Sequence, residues 1–158
     1  MQQQVRKHNR LQHFDYSQSG AYFVTICVKD KKCLLSKITT DHVGCDALIA
    51  PKVELTKYGF IAKKYLESMD GIESFVIMPN HIHLIIIKNG AMRASHPTRV
   101  SDDIRSFKIL FTKELGASIW QKSFYDHIIR NEDDFIFHLQ YIEENPKKWL
   151  LGKDEYYA

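Results

Sequence analysis

The sequence predicts an α+β domain in which an antiparallel sheet carries two helices on one face. Segments rich in β-branched and aromatic residues alternate with segments of helical apolar spacing. Their order is strand, helix, strand, strand, helix, strand, and a further helix follows. The chain has 158 residues, of which 44% are hydrophobic and 26% are charged. That size and balance suit one globular domain that can bury a core without disulfide bonds.

Each predicted element has a local signal in the sequence. The segments are strand 21–29, helix 56–69, strand 72–78, strand 81–88, helix 98–115, strand 123–130 and helix 132–145. Residues 30–55 are ambiguous and could hold short strands at 33–38 and 52–55 around a loop. Pro79-Asn80 is typical of the turn that joins two neighbouring strands.

Apolar residues at helical spacing define the face that each helix is expected to bury. They are Phe60, Ile61, Tyr65 and Met69 in the first helix, Ile104, Phe107, Phe111 and Leu115 in the second, and Phe135, His138, Leu139 and Ile142 in the third. Asn131 can cap the third helix, and Pro146 is predicted to end it, because the residue before a proline is biased away from helix.

The chain is expected to have three parts: a basic N-terminal arm at residues 1–19, one domain at residues 20–150 and a short tail at residues 151–158. The net charge of +3 is compatible with nucleic-acid binding, although a solvated surface gives the same value. Three cysteines without a CxxC pair, and an N-terminus without a signal-like apolar run, predict a cytoplasmic protein with reduced thiols.

The motif His81-Ile82-His83 lies at the start of a predicted strand. Side chains two residues apart point to the same face of a strand, so both imidazoles can converge on one divalent ion. The alternative is structural, with one histidine capping the turn and the other lying at the sheet edge. A lone HxH motif does not decide between these readings.

Tyr141 and Asn145 are four residues apart on the third helix and therefore lie on one face of it. Taken alone, they fit a half-buried tyrosine and an asparagine that ends the helix. Taken with the histidines, they suggest a nucleophile and a third metal ligand. A divalent ion would polarise a phosphodiester and orient it, which helps a phenol whose unperturbed pKa is about 10.

Four ordered segments resemble the HUH-type single-strand DNA transposases with one catalytic tyrosine. They are YFVT at residues 22–25, VIMPNHIHL at 76–84, IWQKSFYDH at 119–127 and YIEENP at 141–146. Within these transposases, the chain is most similar to the REP-associated tyrosine transposases, and the similarity extends over residues 14–150.

The resemblance implies a ferredoxin-like, RNA-recognition-like fold with a C-terminal catalytic helix. It implies that His81, His83 and Asn145 bind Mg²⁺ or Mn²⁺, and that Tyr141 is the nucleophile. The tyrosine would attack hairpin-flanked single-stranded DNA, form a 5′-phosphotyrosine and release a 3′-OH. The central strand and the last long helix must then bring these four side chains together.

Basic residues outside this group are candidates for contacts with DNA phosphates. They are Arg6 and Arg10 in the arm, Arg105, Lys108 and Lys113 along the second helix, and Lys147 after the nucleophile. A solvated helix face would explain any one of them equally well.

Two other functions are consistent with the same sequence. One is a domesticated protein that binds hairpin DNA or RNA without cutting it. The other is a metal-dependent hydrolase that uses water as the nucleophile. The sequence also leaves open whether the protein is a monomer or a homodimer in which Tyr141 acts on the partner's metal site.

Overall fold

The computed structural model describes residues 20–40, 51–88, 99–154 and 156, and within them it has six strands and three α-helices. In chain order these are β1 Gly20–Cys27, β2 Ser36–Thr40, β3 Pro51–Leu55, α1 Lys57–Glu67, β4 Ile72–Ile77, β5 His81–Lys88, α2 Val100–Leu115, β6 Tyr125–Ile129 and α3 Glu132–Leu150. None of the helices in this part of the chain is long and apolar enough to cross a membrane.

Four strands form the main sheet in the order β4-β5-β1-β6, and every neighbouring pair is antiparallel. This is the split β-α-β arrangement that the sequence predicts, and the α+β fold class is confirmed. The ambiguous segment resolves into β2 and β3, which pair antiparallel as a separate two-stranded sheet.

Side-chain alternation along β1 and β5 gives the main sheet two faces, and each face packs against different helices. On one face, Val24 of β1 and Leu84 of β5 join the main core under α1 and α2. On the other face, Ile85 of β5 packs with Ile142 of α3. The sheet therefore carries α1 and α2 on one side and α3 on the other, and His81 and His83 share the α3 side with Ile85.

The predicted end of the third helix is wrong, because α3 continues through Pro146 to Leu150. A proline inside a helix removes one backbone donor, and the helix tolerates that loss where packing offsets it. Pro146 is buried, and the next turn is held by the Leu151 N–H, which donates to the Lys147 carbonyl at 3.2 Å. Because of this extension, the Trp149 ring lies beside the His81 ring, with centroids 6.1 Å apart.

The predicted apolar face of the first helix is also wrong in one respect. Phe60 is 62% exposed, whereas Gly59, Ala62 and Leu66 are the buried residues of α1. The helix is rotated relative to the predicted orientation because Gly59 packs directly against the backbone of Leu35. A Cβ atom at Gly59 would collide with the Leu35 carbonyl oxygen. Such a contact between backbones requires glycine, and it turns the neighbouring Phe60 towards solvent.

Candidate functional site

His81 and His83 lie in the centre of the main sheet, at the start of β5 and beneath α3. The pairing of β1 with β5 puts Cys27 opposite His81 and Thr25 opposite His83. Both imidazoles are completely buried, and their ring centroids are 4.5 Å apart. The strand geometry therefore brings the two rings together on the face that α3 covers.

Hydrogen bonds fix the Nδ1 side of each imidazole. Asn80 uses its Nδ2 to donate to the carbonyl oxygens of Lys31, at 3.3 Å, and Tyr156, at 2.9 Å, which leaves its Oδ1 facing His81. The Nδ1–H of His81 donates to that Oδ1 at 2.7 Å. Across the sheet, His83 Nδ1 and Thr25 Oγ1 form a hydrogen bond of 2.8 Å. Both Nε2 atoms are left for other partners, an arrangement common among metal-binding histidines.

Burial keeps both imidazoles neutral at neutral pH. It lowers the pKa of His81 from its usual 6.5 to about 3, against a smaller opposing effect of the Asn145 amide. Burial, together with the nearby His81 and His138, lowers the pKa of His83 well below its usual value. Neutral imidazoles are the form that binds metal ions, so no proton has to be displaced by a cation here.

Asn145 reaches this site from α3 and is completely buried. Its amide is close enough to His81 to affect the pKa of that imidazole, but it makes no well-formed hydrogen bond with it. Within the described residues, Nε2 of His81, Nε2 of His83 and the amide atoms of Asn145 are all buried without hydrogen-bond partners. Buried polar atoms are costly in that state, and a cation held by two imidazoles and an amide oxygen would satisfy them. The residues present therefore fit a divalent metal ion.

Tyr141 lies beside the histidine pair within the same chain. Its ring meets the His83 ring nearly edge-on, with centroids 5.2 Å apart, and contacts Phe23 in the same manner at 5.8 Å. Lys148, one further turn along α3 from Asn145, places its Nζ 4.6 Å from the centre of the Tyr141 ring and also pairs with Glu144. One chain is thus sufficient to bring the Tyr141 phenol, the Lys148 ammonium, two imidazoles and an amide to one place.

The segment after α3 covers the histidine pair. The Tyr156 ring lies 4.6 Å from the His81 ring and 5.6 Å from the His83 ring, while Trp149 is 6.1 Å from His81. The Tyr156 N–H donates to the Asp154 carboxylate at 2.7 Å, and the Tyr156 carbonyl accepts from Asn80. Asn80 therefore orients a histidine and anchors the segment that covers it.

The candidate DNA-contacting residues lie in different environments. Arg105, Lys113 and Lys147 are exposed, whereas Arg6 and Arg10 lie outside the described residues. Lys108 is partly buried, and desolvation lowers its pKa to about 8.

The Lys108 ammonium donates to the carbonyl oxygens of Gln121, at 2.8 Å, and Ser123, at 3.0 Å, so it holds the segment before β6. Arg105, Lys108 and Lys113 line a groove of about 780 Å³ between α2 and that segment.

Sequence reasoning missed several residues that shape this site. Thr25 was recognised only as part of a family-like segment, and Asn80 only as a turn residue. Asn80 had one available signal, since it directly precedes His81 and an asparagine there can bond the next side chain. Thr25 and Tyr156 had none, because their contacts with the histidines depend on strand register and on the path of the chain after α3.

Relatives of the chain are known, although no protein-family model matches it. An uncharacterized protein of Haemophilus influenzae is 30% identical over 171 residues, covering 91% of this chain and 89% of the relative. The REP-associated tyrosine transposase of Escherichia coli is 27% identical over 135 residues, covering 84% of this chain and 70% of the relative.

A solved structure shares the fold. It is that of a REP-associated tyrosine transposase bound to a REP hairpin. It matches with a TM-score of 0.58 and 24% identity over 88% of this chain and 74% of the other. The fold and the named relatives agree with the resemblance carried by the ordered sequence segments. In sequence and in fold, the chain is similar to the REP-associated tyrosine transposases.

Proposed function

We propose that this protein is a metal-dependent strand transferase that cleaves and rejoins single-stranded DNA through a 5′-phosphotyrosine intermediate. One observation carries the proposal: Tyr141 packs against His83 at the place where, among the described residues, the Nε2 atoms of His81 and His83 and the Asn145 amide lack hydrogen-bond partners. A phenol beside two neutral imidazoles and an amide is poorly explained by core packing alone. It is well explained by a nucleophile next to a metal site.

His81, His83 and Asn145 would hold the ion, through Nε2 of each imidazole and the amide oxygen. Two imidazole nitrogens suit a first-row divalent ion, and an amide oxygen as third ligand shifts the preference towards Mg²⁺ or Mn²⁺. When bound, such an ion would polarise the scissile phosphate and orient it for in-line attack. Asn80 would keep His81 in the required tautomer, and Thr25 would orient the His83 ring.

Tyr141 would supply the attacking oxygen. A new bond forms between its Oη and phosphorus as the bond from phosphorus to the 3′ oxygen breaks. The phenol loses its proton, and the leaving oxygen gains one to become a 3′-OH. Because one phosphoester replaces another, the step reverses without an external energy source. Lys148 lies over the ring and would favour the negative charge that develops on the phenol and phosphate.

The proposed substrate is hairpin DNA of the REP type with a single-stranded flank. The similarity to a REP-associated tyrosine transposase and the shared fold support this choice, since the matched structure is of a transposase bound to a REP hairpin. The groove beside α2, with Arg105 and Lys113 at its edge, offers positive charge that could contact phosphates. Arg6, Arg10 and Lys147 remain candidates for additional contacts of the same kind.

One observation favours a second candidate, a protein that binds hairpin DNA without cutting it. His81 and His83 are fully buried beneath Tyr156, so the DNA phosphate cannot reach them in this arrangement. For strand transfer, the segment that bears Tyr156 must move away. For a binding protein it can remain in place permanently.

Tyr141→Phe should abolish the covalent protein–DNA product while leaving hairpin binding within about twofold, because it removes only the attacking oxygen. The measurement is a denaturing gel with labelled hairpin-flanked single strands and Mn²⁺. Tyr125→Phe is the matched control, since Tyr125 is an exposed tyrosine on β6. An adduct that persists in Tyr141→Phe would refute the assignment of the nucleophile.

Thr25→Val should weaken Mn²⁺ binding by roughly 10- to 100-fold, because it deletes the hydroxyl that orients His83 and nearly preserves side-chain shape. Calorimetric titration of the metal-free protein measures the affinity. Thr39→Val, in the separate β2–β3 sheet, serves as the control. Equal affinities in the two variants would show that Thr25 does not support a metal ligand.

Tyr156→Ala should increase the rate of adduct formation severalfold, because it removes the ring that lies on both imidazoles. Leu151→Ala is the control within the same segment, since Leu151 is exposed. If neither the natural protein nor Tyr156→Ala forms an adduct in a screen of hairpin DNAs, the non-cleaving function is favoured. An adduct rate that falls in Tyr156→Ala would show that the covering segment assists catalysis.

A further inference from the structure

A second group of metal-ligating side chains lies where β6 meets the start of α3. It consists of His127 on β6 and Asp134 and His138 on consecutive turns of α3. The ligand atoms of all three residues lie within 4.8 Å of one another. His127 Nε2 is 2.9 Å from Asp134 Oδ2, and His138 Nδ1 is 3.1 Å from Asp134 Oδ1. The two imidazole rings stack, with centroids 4.6 Å apart.

This group is held in place by its surroundings. The Asp134 N–H donates to the capping Asn131 side chain at 2.9 Å, and the Asp134 carboxylate accepts from the Arg130 N–H at 3.1 Å. His138 packs against Phe23, with ring centroids 4.6 Å apart. Two of the three side chains are mostly covered, while His127 is half exposed. The exposed side would leave one coordination position open to solvent.

The protonation states are compatible with cation binding. The hydrogen bond from His127 is the main cause that holds the pKa of Asp134 below its usual value, so the carboxylate is ionised at neutral pH. His138 Nδ1 now donates to the Asp134 backbone carbonyl at 2.8 Å. A neutral imidazole can move that proton to its Nε2 and present Nδ1 to an ion without changing its charge. The cost is the hydrogen bond of His138 to a carbonyl that the helix also uses, together with the hydrogen bond of His127 Nε2 to the Asp134 carboxylate.

We propose that His127, Asp134 and His138 form a second metal site, for a Zn²⁺-class transition ion, that ties β6 to the first turns of α3. Two imidazole nitrogens and one carboxylate oxygen, with the fourth position open, are a common zinc ligand set. This set differs from the two imidazoles and amide of the first site, and the Phe23 ring lies between the two groups.

The inference does not depend on strand transfer. The ion would link the strand and the helix that precede Tyr141, so its expected effect is on stability. It needs none of the residues proposed to hold the catalytic ion, and it would persist if the protein only bound DNA.

The test compares Zn²⁺ binding by the full-length protein and by His127→Gln. This variant removes an exposed ligand and leaves the hydrophobic core intact. Calorimetry should give one fewer tight equivalent in the variant, or a loss of at least about tenfold in affinity for that equivalent. Zn²⁺ should raise the Tm of the natural protein by several degrees more than that of the variant. The readout is a difference between variants because His8, His13, His42 and His96 lie outside the described residues and can add background binding.

Asp134→Asn provides a second variant, since it removes the negative charge and retains the side-chain shape. It should lose the same equivalent, while Gln140→Ala, an exposed change on α3, should retain it. Equal stoichiometry, affinity and Tm shift in the natural protein and His127→Gln would overturn the proposal and leave a hydrogen-bonded cluster. Mn²⁺-dependent adduct formation measured on the same samples should be unchanged in His127→Gln. A failure of this inference is therefore separable from a failure of the proposed function.

Discussion

The candidate site depends on one physical constraint, the burial of two neutral imidazoles at the centre of the sheet. Desolvation there makes protonation unfavourable, so both rings keep a free nitrogen lone pair at neutral pH. The Oδ1 of Asn80 accepts from Nδ1 of His81 and so leaves the lone pair of that ring on Nε2, while the hydrogen bond with Thr25 orients the His83 ring. Asn145 and Tyr141 reach the same place from α3.

The layered architecture explains how a buried polar site coexists with a stable core. Alternation along β5 gives α1 and α2 an apolar face that includes Leu84, while the α3 face carries the histidines and then Ile85. The polar residues occupy the first part of that face, and the apolar residues occupy the rest. α3 therefore packs Ile142 against the apolar part of the sheet and places Tyr141 beside the histidines. Substitutions at the site need not disturb the larger core on the opposite face.

Much of the fold was predictable because its signals are local. The strand alternation around His81 and His83 and the helical spacing of Tyr141 and Asn145 can be read from neighbouring residues. The stop at Pro146 failed because burial of the extended helix outweighed a local backbone bias.

The interactions that complete the site were less accessible. Thr25 meets His83 across a pairing of strands 58 residues apart in sequence, which no local pattern specifies. The same holds for His127, whose partners lie on another element. In both cases the residue type was visible, and the tertiary contact that gives it a role was not.

The central claim is that His81 and His83 bind the same divalent ion beside Tyr141. Pulsed electron paramagnetic resonance of the Mn²⁺-loaded protein tests it directly, because coordinated imidazole nitrogens couple to the electron spin of the metal. The account predicts coupling to two histidine nitrogens, reduced to one in His81→Ala and also to one in His83→Ala. Mn²⁺ without histidine nitrogen coupling, or coupling unchanged in both variants, would contradict it.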